Sequence, residues 1–407
     1  MKNLCFYGGV FLLALYCAVE TVPLYLYPNS VRHFRNFGLD PEANMNASQL
    51  ITSKGYPCEE YDVITEDGYI LTIQRIPYGR GQKPGPREVV FLQHGLLGTS
   101  TNFLTNLVNE SFAYILADQG FDVWLGNVRG CTYGRRHVKL NVKDVEFWDF
   151  SWDEMALKDL PAMISQALKI SNVKQLNYVG FSQGTMIGYA GFSRNQTLGK
   201  QIKSFMALGP VSTLKYIGSP LKYFAPIVKE RTLVDWLIDL GEFLPSDGVM
   251  KWIGKHACLS ELSYVCADFL FLIAGQDAKQ LNKTRLPVYL THTPGGTSWK
   301  NIIHYGQAVL NGKFQMFDYG SAEKNIAKYG TNTPPVYNPA DMNVPAGLFW
   351  GGRDLLADPG DVNVLLPQLK KVIANVPVPS FEHLDFIWAV NATGFVYMKI
   401  IDFYKLM

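Results

Sequence analysis

A serine between two glycines, Gly180-Phe181-Ser182-Gln183-Gly184, is followed at a distance by an aspartate, Asp354, and a histidine, His383. A serine hydroxyl is a poor nucleophile until a base takes its proton, and a histidine oriented by a carboxylate is an effective base. The chemistry open to this set is acyl transfer through a covalent ester on Ser182. Such a reaction also needs donors for the oxyanion that develops on the attacked carbonyl. The N–H of Gln183, the residue after the nucleophile, is one candidate. The second is the N–H of Leu96 in the early loop "QHGLLG" (93–98), where Gly95 and Gly98 let the backbone approach a substrate. This chemistry needs neither a metal nor a cofactor.

Each assignment has a competitor. Ser182 could simply cap a helix, and "QHGLLG" could be an ordinary glycine-containing turn. After Ser182 the histidines are His256, His292, His304 and His383. The first three fall in a stretch that contributes no obvious strand, whereas His383, in "SFEHLDFIW", follows the last one. Asp354, in "FWGGRDLLAD", comes directly after the run "AGLFWGG", where the acid of such a set emerges from a strand. Asp358 is its neighbour, but with Pro359-Gly360 behind it Asp358 reads as a helix or turn cap.

These side chains need a frame that brings them together. "EEYDVITEDGYILTIQRI" (59–76) reads as a hairpin, with Asp67-Gly68 at its turn. "EVVFLQHG" (88–95), "FDVWLGN" (121–127), "QLNYVG", "IKSFMALGP" (202–210) and "VPAGLFWGG" (344–352) are short apolar runs. Those without polar alternation fit strands buried on both faces. Helical stretches fall between them: "SFAYILADQG" (111–120), with Gly120 past its end; Trp152 to Leu168, which Pro161 should kink or split; and "QGTMIGYAGF". Alternating strands and helices predict an α/β fold with a mostly parallel central sheet and helices on both faces. Ser182 then sits on a tight strand-to-helix turn, the nucleophile elbow of the α/β-hydrolase class. Between about Val211 and Asn338 the rhythm breaks. That stretch is apolar and aromatic, as in "LVDWLIDLGEFLP", and predicts a mainly helical cap inserted between two sheet strands of a single domain spanning 20–407.

The whole chain is consistent with such a domain. It has 407 residues, 48% hydrophobic and 18% charged, enough for a large core. Its 37 basic and 35 acidic residues leave a net charge of +2, and the basic residues are scattered, which excludes a nucleic-acid footprint. Residues 1–19 read as a secretory signal: Lys2, then an uncharged apolar run from Cys5 to Val19, with Ala18 the best cleavage residue. No later run is long and apolar enough to span a bilayer. Entry into the secretory pathway predicts a secreted or lysosomal protein and gives meaning to five sequons, at Asn46, Asn109, Asn195, Asn282 and Asn391. Cys58, Cys131, Cys258 and Cys266 remain after the signal is removed, an even number in an oxidising compartment. Cys258 and Cys266 close the short loop "CLSELSYVC" and are expected to pair. A Cys58–Cys131 bond follows mainly by elimination.

The motifs resemble the acid lipase family, which includes the gastric and lysosomal acid lipases of animals. "GYPCEEYDVITEDGYIL", "FLQHGLLG", "DVWLGNVRG", "NVPAGLFWGGRDLLADPGDV" and "EHLDFIWA" are similar to that family in wording and order. The likeness runs from "DPEANMN" (40–46) to "IIDFYKLM". It implies Ser182, Asp354 and His383 as the triad, Leu96 and Gln183 as the oxyanion hole, a cap with a lid, and hydrolysis of triacylglycerols or cholesteryl esters at a lipid–water interface. Three departures stand out. Phe181 replaces the usual histidine before the nucleophile, Ala274 stands where a free cysteine is common, and Cys58 and Cys131 occupy positions of other residue types. Two other functions compete: a carboxylesterase for soluble short-chain esters, and a non-catalytic lipid binder. The binder would have no need of nucleophile, base, acid and oxyanion loop together.

Overall fold

A computed structural model describes residues 40–244 and 280–406. The signal segment 1–19, His256, the Cys258–Cys266 pair and Ala274 lie outside the described residues.

The hairpin forms as expected, with β1 (Glu59–Ile64) and β2 (Tyr69–Ile76) antiparallel and Gly68 at φ +98° in the turn. The apolar runs become β3 (Val89–Gln93), β4 (Asp122–Gly126), β6 (Leu176–Phe181), β7 (Ile202–Leu208) and β10 (Ala346–Gly351). Two strands were not legible as such, the two-residue β5 (Arg136–His137) and the exposed edge strand β11 (Val372–Val378). The main sheet runs β1-β2-β4-β3-β6-β7-β10-β11, with β5 on β2, and from β4 to β11 every neighbour is parallel.

The missing alternation in the central strands has a direct cause. Phe91, Trp124, Tyr178, Phe205 and Leu348 point into one core, while Leu92, Val123, Val179, Met206 and Phe349 point into a second core on the opposite face. Both faces are covered by helices, among them α1 (Phe112–Asp118), α2 (Leu160–Ser171) and α3 (Gln183–Arg194). The stretch from Trp152 is broken before Pro161, as its sequence demands. Met155–Asp159 is one π turn, and the Leu160 N–H bonds Met155 O. The wider turn accommodates a proline that cannot donate and whose ring crowds the preceding turn.

The chain visits β3, steps outward to β4, then returns to the other side of β3 with β6. Ligand sites of open parallel sheets lie where the strand order reverses, outside the carboxyl ends of the strands. Here that crevice lies between the ends of β3 and β6, which carry Leu96 and Ser182.

No described residue between β7 and β10 joins the main sheet. This stretch holds α4 (Arg231–Asp239), a small antiparallel pair β8 (Glu242–Phe243) and β9 (Thr297–Ser298), and α5 (Trp299–Asn311). Arg285 and Asp153 are among the buried polar groups that fasten it to the body. Arg285 reaches Asp40, Glu42 and the Thr105 carbonyl. Asp153 accepts from Phe317 N–H at 2.8 Å and from Tyr337 Oη at 2.6 Å. After β10 the chain forms α6 (Pro359–Leu365) and β11, and it ends in α7 (Met398–Leu406). No helix among the described residues is long and apolar enough to cross a membrane.

Burial, reinforced by the charge of Glu154, pushes the Asp153 carboxyl above the usual carboxylate range. The folded state therefore keeps a proton that the unfolded chain releases. As pH rises above about 4 toward neutrality, this group takes stability away. Asp153→Asn removes the titration. Thermal melts at pH 4 and pH 7 should show its Tm falling less over that interval than that of the parent, by on the order of 2 °C. Equal slopes would mean that Asp153 is ionised throughout.

The expectation that Cys58 and Cys131 pair is incorrect, since both are free thiols. The Cys131 thiol faces Asn127 Oδ1 at 3.9 Å and the Cys58 thiol faces the Glu59 carbonyl at 3.9 Å. Burial pushes Cys58 up to about 11 and Cys131 up to about 12, so both are neutral, unreactive thiols near pH 7. Counting cysteines assumed that a thiol in an oxidising compartment must find a partner. A small apolar side chain in a packed site has no such need.

Candidate active site

Ser182 is held at φ +53° and ψ −117° between β6 and α3. A serine rarely adopts positive φ, and the surroundings enforce it here. The Ser182 N–H donates to Leu208 O at 3.0 Å, and its carbonyl accepts from the Thr185 N–H at 2.8 Å. The two glycines of the elbow are needed for contact distance. A Cβ on Gly180 would lie 2.6 Å from the Gly184 carbonyl, and one on Gly184 would lie 2.4 Å from Gln93 O at the end of β3.

The turn points the Ser182 hydroxyl at the histidine singled out in the sequence. Ser182 Oγ is 2.7 Å from His383 Nε2, and His383 Nδ1 is 2.8 Å from Asp354 Oδ2. Asp354 follows β10, as expected. Its other oxygen accepts from the N–H groups of Leu356 and Ala357 at 2.9 and 2.8 Å. Asp354 and His383 are 1% and 3% exposed, so the acid and the base it orients are shielded from solvent. Asp358 takes the role predicted for it, capping α6 through the Gly360 N–H at 2.7 Å.

Of the other histidines that follow Ser182, the two described ones face elsewhere. His304 is buried between Ser151 Oγ and Gln315 O and stacked on Trp152, and His292 bonds Glu42 O. Phe181, where the resemblance leads one to expect histidine, packs against the His383 ring at 5.1 Å between centroids. An apolar ring in this place adds no competing hydrogen bond beside the base.

The two peptides that carry the proposed oxyanion donors, 95–96 and 182–183, lie side by side at this crevice. Gly95 comes so near the elbow that a Cβ on it would lie 2.9 Å from Ser182 Cβ. Among the described residues, neither the Leu96 N–H nor the Gln183 N–H has an acceptor. Two open donors, a hydroxyl and a shielded base at one crevice can together form and break an acyl ester.

Five contacts of this site were not read from the sequence. The Gln183 side chain accepts from Asn301 Nδ2 at 2.9 Å and from Tyr305 Oη at 3.1 Å, both on α5, and touches Met155 Sδ. The i, i+4 spacing of Asn301 and Tyr305 marks one helix face, but nothing local says that this face meets the elbow. His94 and Thr185 grip backbone carbonyls of the site.

The chain matches the family model described as the alpha/beta hydrolase fold over residues 88–390, and a partial alpha/beta-hydrolase lipase region over 47–107. It is 49% identical to human (Homo sapiens) gastric triacylglycerol lipase, over 89% of this chain and 91% of that one. It is 48% identical to human lysosomal acid lipase/cholesteryl ester hydrolase, over 89% of this chain and 92% of the relative. An epoxide hydrolase from Vigna radiata superposes with a TM-score of 0.50 at 13% identity, covering 86% of this chain and 98% of that one, a likeness of fold alone. With an elbow serine, a base and an acid in hydrogen-bond contact, and near-half identity along almost its whole length, the chain belongs to the acid lipase family of α/β-hydrolases and is an ester hydrolase.

Proposed function

We propose that this protein hydrolyses the ester bonds of neutral lipids, triacylglycerols or cholesteryl esters or both, through an acyl-enzyme on Ser182. His383 Nε2 takes the hydroxyl proton as Ser182 Oγ attacks the ester carbonyl. Asp354 holds the imidazole in the required tautomer and stabilises its charged form. The N–H groups of Leu96 and Gln183 receive the oxyanion. As the intermediate collapses, the alcohol leaves with the proton from His383. Water then gives a proton to His383 and attacks the acyl carbon, and the fatty acid departs as Ser182 regains its hydrogen. The observation that carries this reading is the Ser182–His383–Asp354 hydrogen-bond chain at the elbow.

The lipid substrate is supported by the names of the relatives and by the insertion. Residues 211–338 act as a cap whose lid moves aside at a lipid surface. In the described part, Tyr223, Leu233, Trp236 and Leu240 are exposed apolar side chains, with Tyr223 at 74% exposure. Apolar surface that water opposes is rewarded at an oil–water or membrane interface. A signal peptide at 1–19 delivers the protein to the secretory pathway, for secretion or lysosomal residence. Asn46, Asn109, Asn195 and Asn391 are exposed and Asn282 is half-buried, so all five sequons remain glycosylation candidates. A soluble-ester carboxylesterase is the second reading, and it leaves the exposed apolar residues of the insertion without a purpose.

Emulsified triolein and cholesteryl oleate, compared with a water-soluble short-chain ester over a range of pH, separate the two. The lipase should favour the emulsions, and a phosphonate ester should label Ser182 faster when detergent or lipid is present. Faster turnover of the soluble ester, with labelling indifferent to detergent, would sink the lipase reading and leave the esterase.

A further inference from the structure

Each oxyanion donor shares a peptide plane with the carbonyl of the residue before it. The peptide is planar and trans, so that carbonyl and the N–H point in opposite directions. A group that grips the carbonyl therefore aims the N–H. Both peptides of this site are gripped in that way, by side chains whose hydrogen bonds go to the backbone and to neither Ser182 Oγ nor His383.

For Leu96 the carbonyl is that of Gly95. His94 Nδ1 lies 2.8 Å from it, and the Gly98 N–H donates to it at 3.1 Å. The Val128 N–H donates to His94 Nε2 at 3.3 Å, which leaves Nε2 unprotonated and places the ring proton on Nδ1. The ring is 2% exposed, and burial pushes its pKa down to about 4, so this neutral tautomer persists well into acid. Val128 is itself fixed through its neighbour Arg129. The Arg129 N–H and guanidinium are held by Asp159, and the guanidinium also by Asp67.

For Gln183 the carbonyl is that of Ser182, the residue with the strained backbone. Thr185 Oγ1 donates to it at 2.6 Å, and the hydroxyl oxygen in turn accepts the Val211 N–H at 2.7 Å. Thr185 is fully buried. A rotation of the 182–183 peptide that relieved the strain would swing the Gln183 N–H out of the crevice, and the Thr185 bond opposes it.

We propose that His94 and Thr185 are positioning residues for ester hydrolysis, gripping the carbonyl ends of the two peptides whose N–H ends receive the oxyanion. The inference rests on Ser182 being the nucleophile. It explains why an imidazole bonds the adjacent carbonyl instead of serving as an acid or base.

The test pairs a disruptive with a conservative change at each position. His94→Asn keeps an amide N–H near the place of Nδ1, whereas His94→Gln presents its amide nearer Nε2 and His94→Phe has none. Thr185→Ser keeps the hydroxyl, and Thr185→Val removes it. Ser182 is first titrated to completion with a p-nitrophenyl phosphonate, so that kcat is counted per competent site and misfolded protein drops out. His94→Phe should lose roughly 10- to 100-fold in kcat and Thr185→Val about 3- to 10-fold, less than deleting a donor outright. KM on tributyrin should stay within about twofold, because the grip acts on the transition state. Affinity for a trifluoromethyl ketone, whose oxyanion occupies the same hole, should fall in proportion to kcat. Thr185→Ser and His94→Asn should recover most of the loss, with His94→Gln below His94→Asn. Unchanged kcat per titrated site, or losses of equal size in the conservative and disruptive variants, would overturn the proposal. Failure of the phosphonate to label Ser182 in the parent would instead overturn the acyl-enzyme reading on which it rests.

Discussion

Ser182→Ala should fold and be secreted like the parent and hydrolyse esters roughly 10⁴- to 10⁶-fold more slowly. Among the described residues the Ser182 side chain hydrogen-bonds His383 Nε2 alone, and the bonds that hold the elbow use its backbone N–H and carbonyl. Alanine therefore keeps the turn. Its methyl group experiences the same positive φ that serine already tolerates, so little stability is at stake. What disappears is the nucleophile. The oxyanion donors and the cap remain, and they account for the residual rate above that in water. Tributyrin turnover and a far-ultraviolet circular dichroism spectrum on the same preparation check both halves. A correctly folded variant with a tenth of the parent activity would remove Ser182 from the mechanism.

The sheet and the site were legible to different degrees, for reasons that particular residues make plain. The central strands announce themselves because both faces are buried, so Val89 to Leu92 and Leu176 to Val179 carry no polar alternation. The edge strand β11 does not, because only Val378 of "VIANVPV" is buried and Pro377 sits inside it, tolerable only at an edge. The break before Pro161 was visible from the missing N–H, while its form as a π turn depends on packing. Ser182, Asp354 and His383 could be found because an elbow and two strand ends have local signatures. The grips of His94 and Thr185 could not. A histidine bonded to the next carbonyl looks, in sequence, like any buried histidine, and its tautomer is set by Val128, which is 34 residues away. The same limit misled the Cys58–Cys131 expectation, since a parity argument contains no distance. The contact of α5 with Gln183 likewise joins residues 118 apart, and only the folded chain brings them together.

Asp354→Asn should keep the fold and lower kcat by roughly 10³- to 10⁴-fold, whereas Asp358→Asn should stay near parent activity and lose at most about 1 kcal/mol of stability. The two aspartates are one helical turn apart in sequence and do different work. Asp354 offers one oxygen to His383 Nδ1 and the other to the N–H groups of Leu356 and Ala357. Those two amides fix the carboxylate in place, and asparagine can keep them by turning its carbonyl oxygen toward them. Its NH₂ then faces His383 Nδ1. A donor there demands that Nδ1 accept, which moves the ring proton to Nε2. His383 then meets Ser182 Oγ with a donor and has no lone pair for the hydroxyl proton. The charge that would stabilise the imidazolium is lost as well. Asp358 has no such partner, because its side chain accepts from the Gly360 N–H at the start of α6. An asparagine cap makes the same bond without the charge that favours a helix N-terminus, which limits the cost. Both variants are purified, their folding is compared by circular dichroism, and tributyrin hydrolysis is measured per phosphonate-reactive site or per folded molecule. An inactive Asp358→Asn beside an active Asp354→Asn would reverse the assignment, and with it the claim that His383 is oriented from the end of β10.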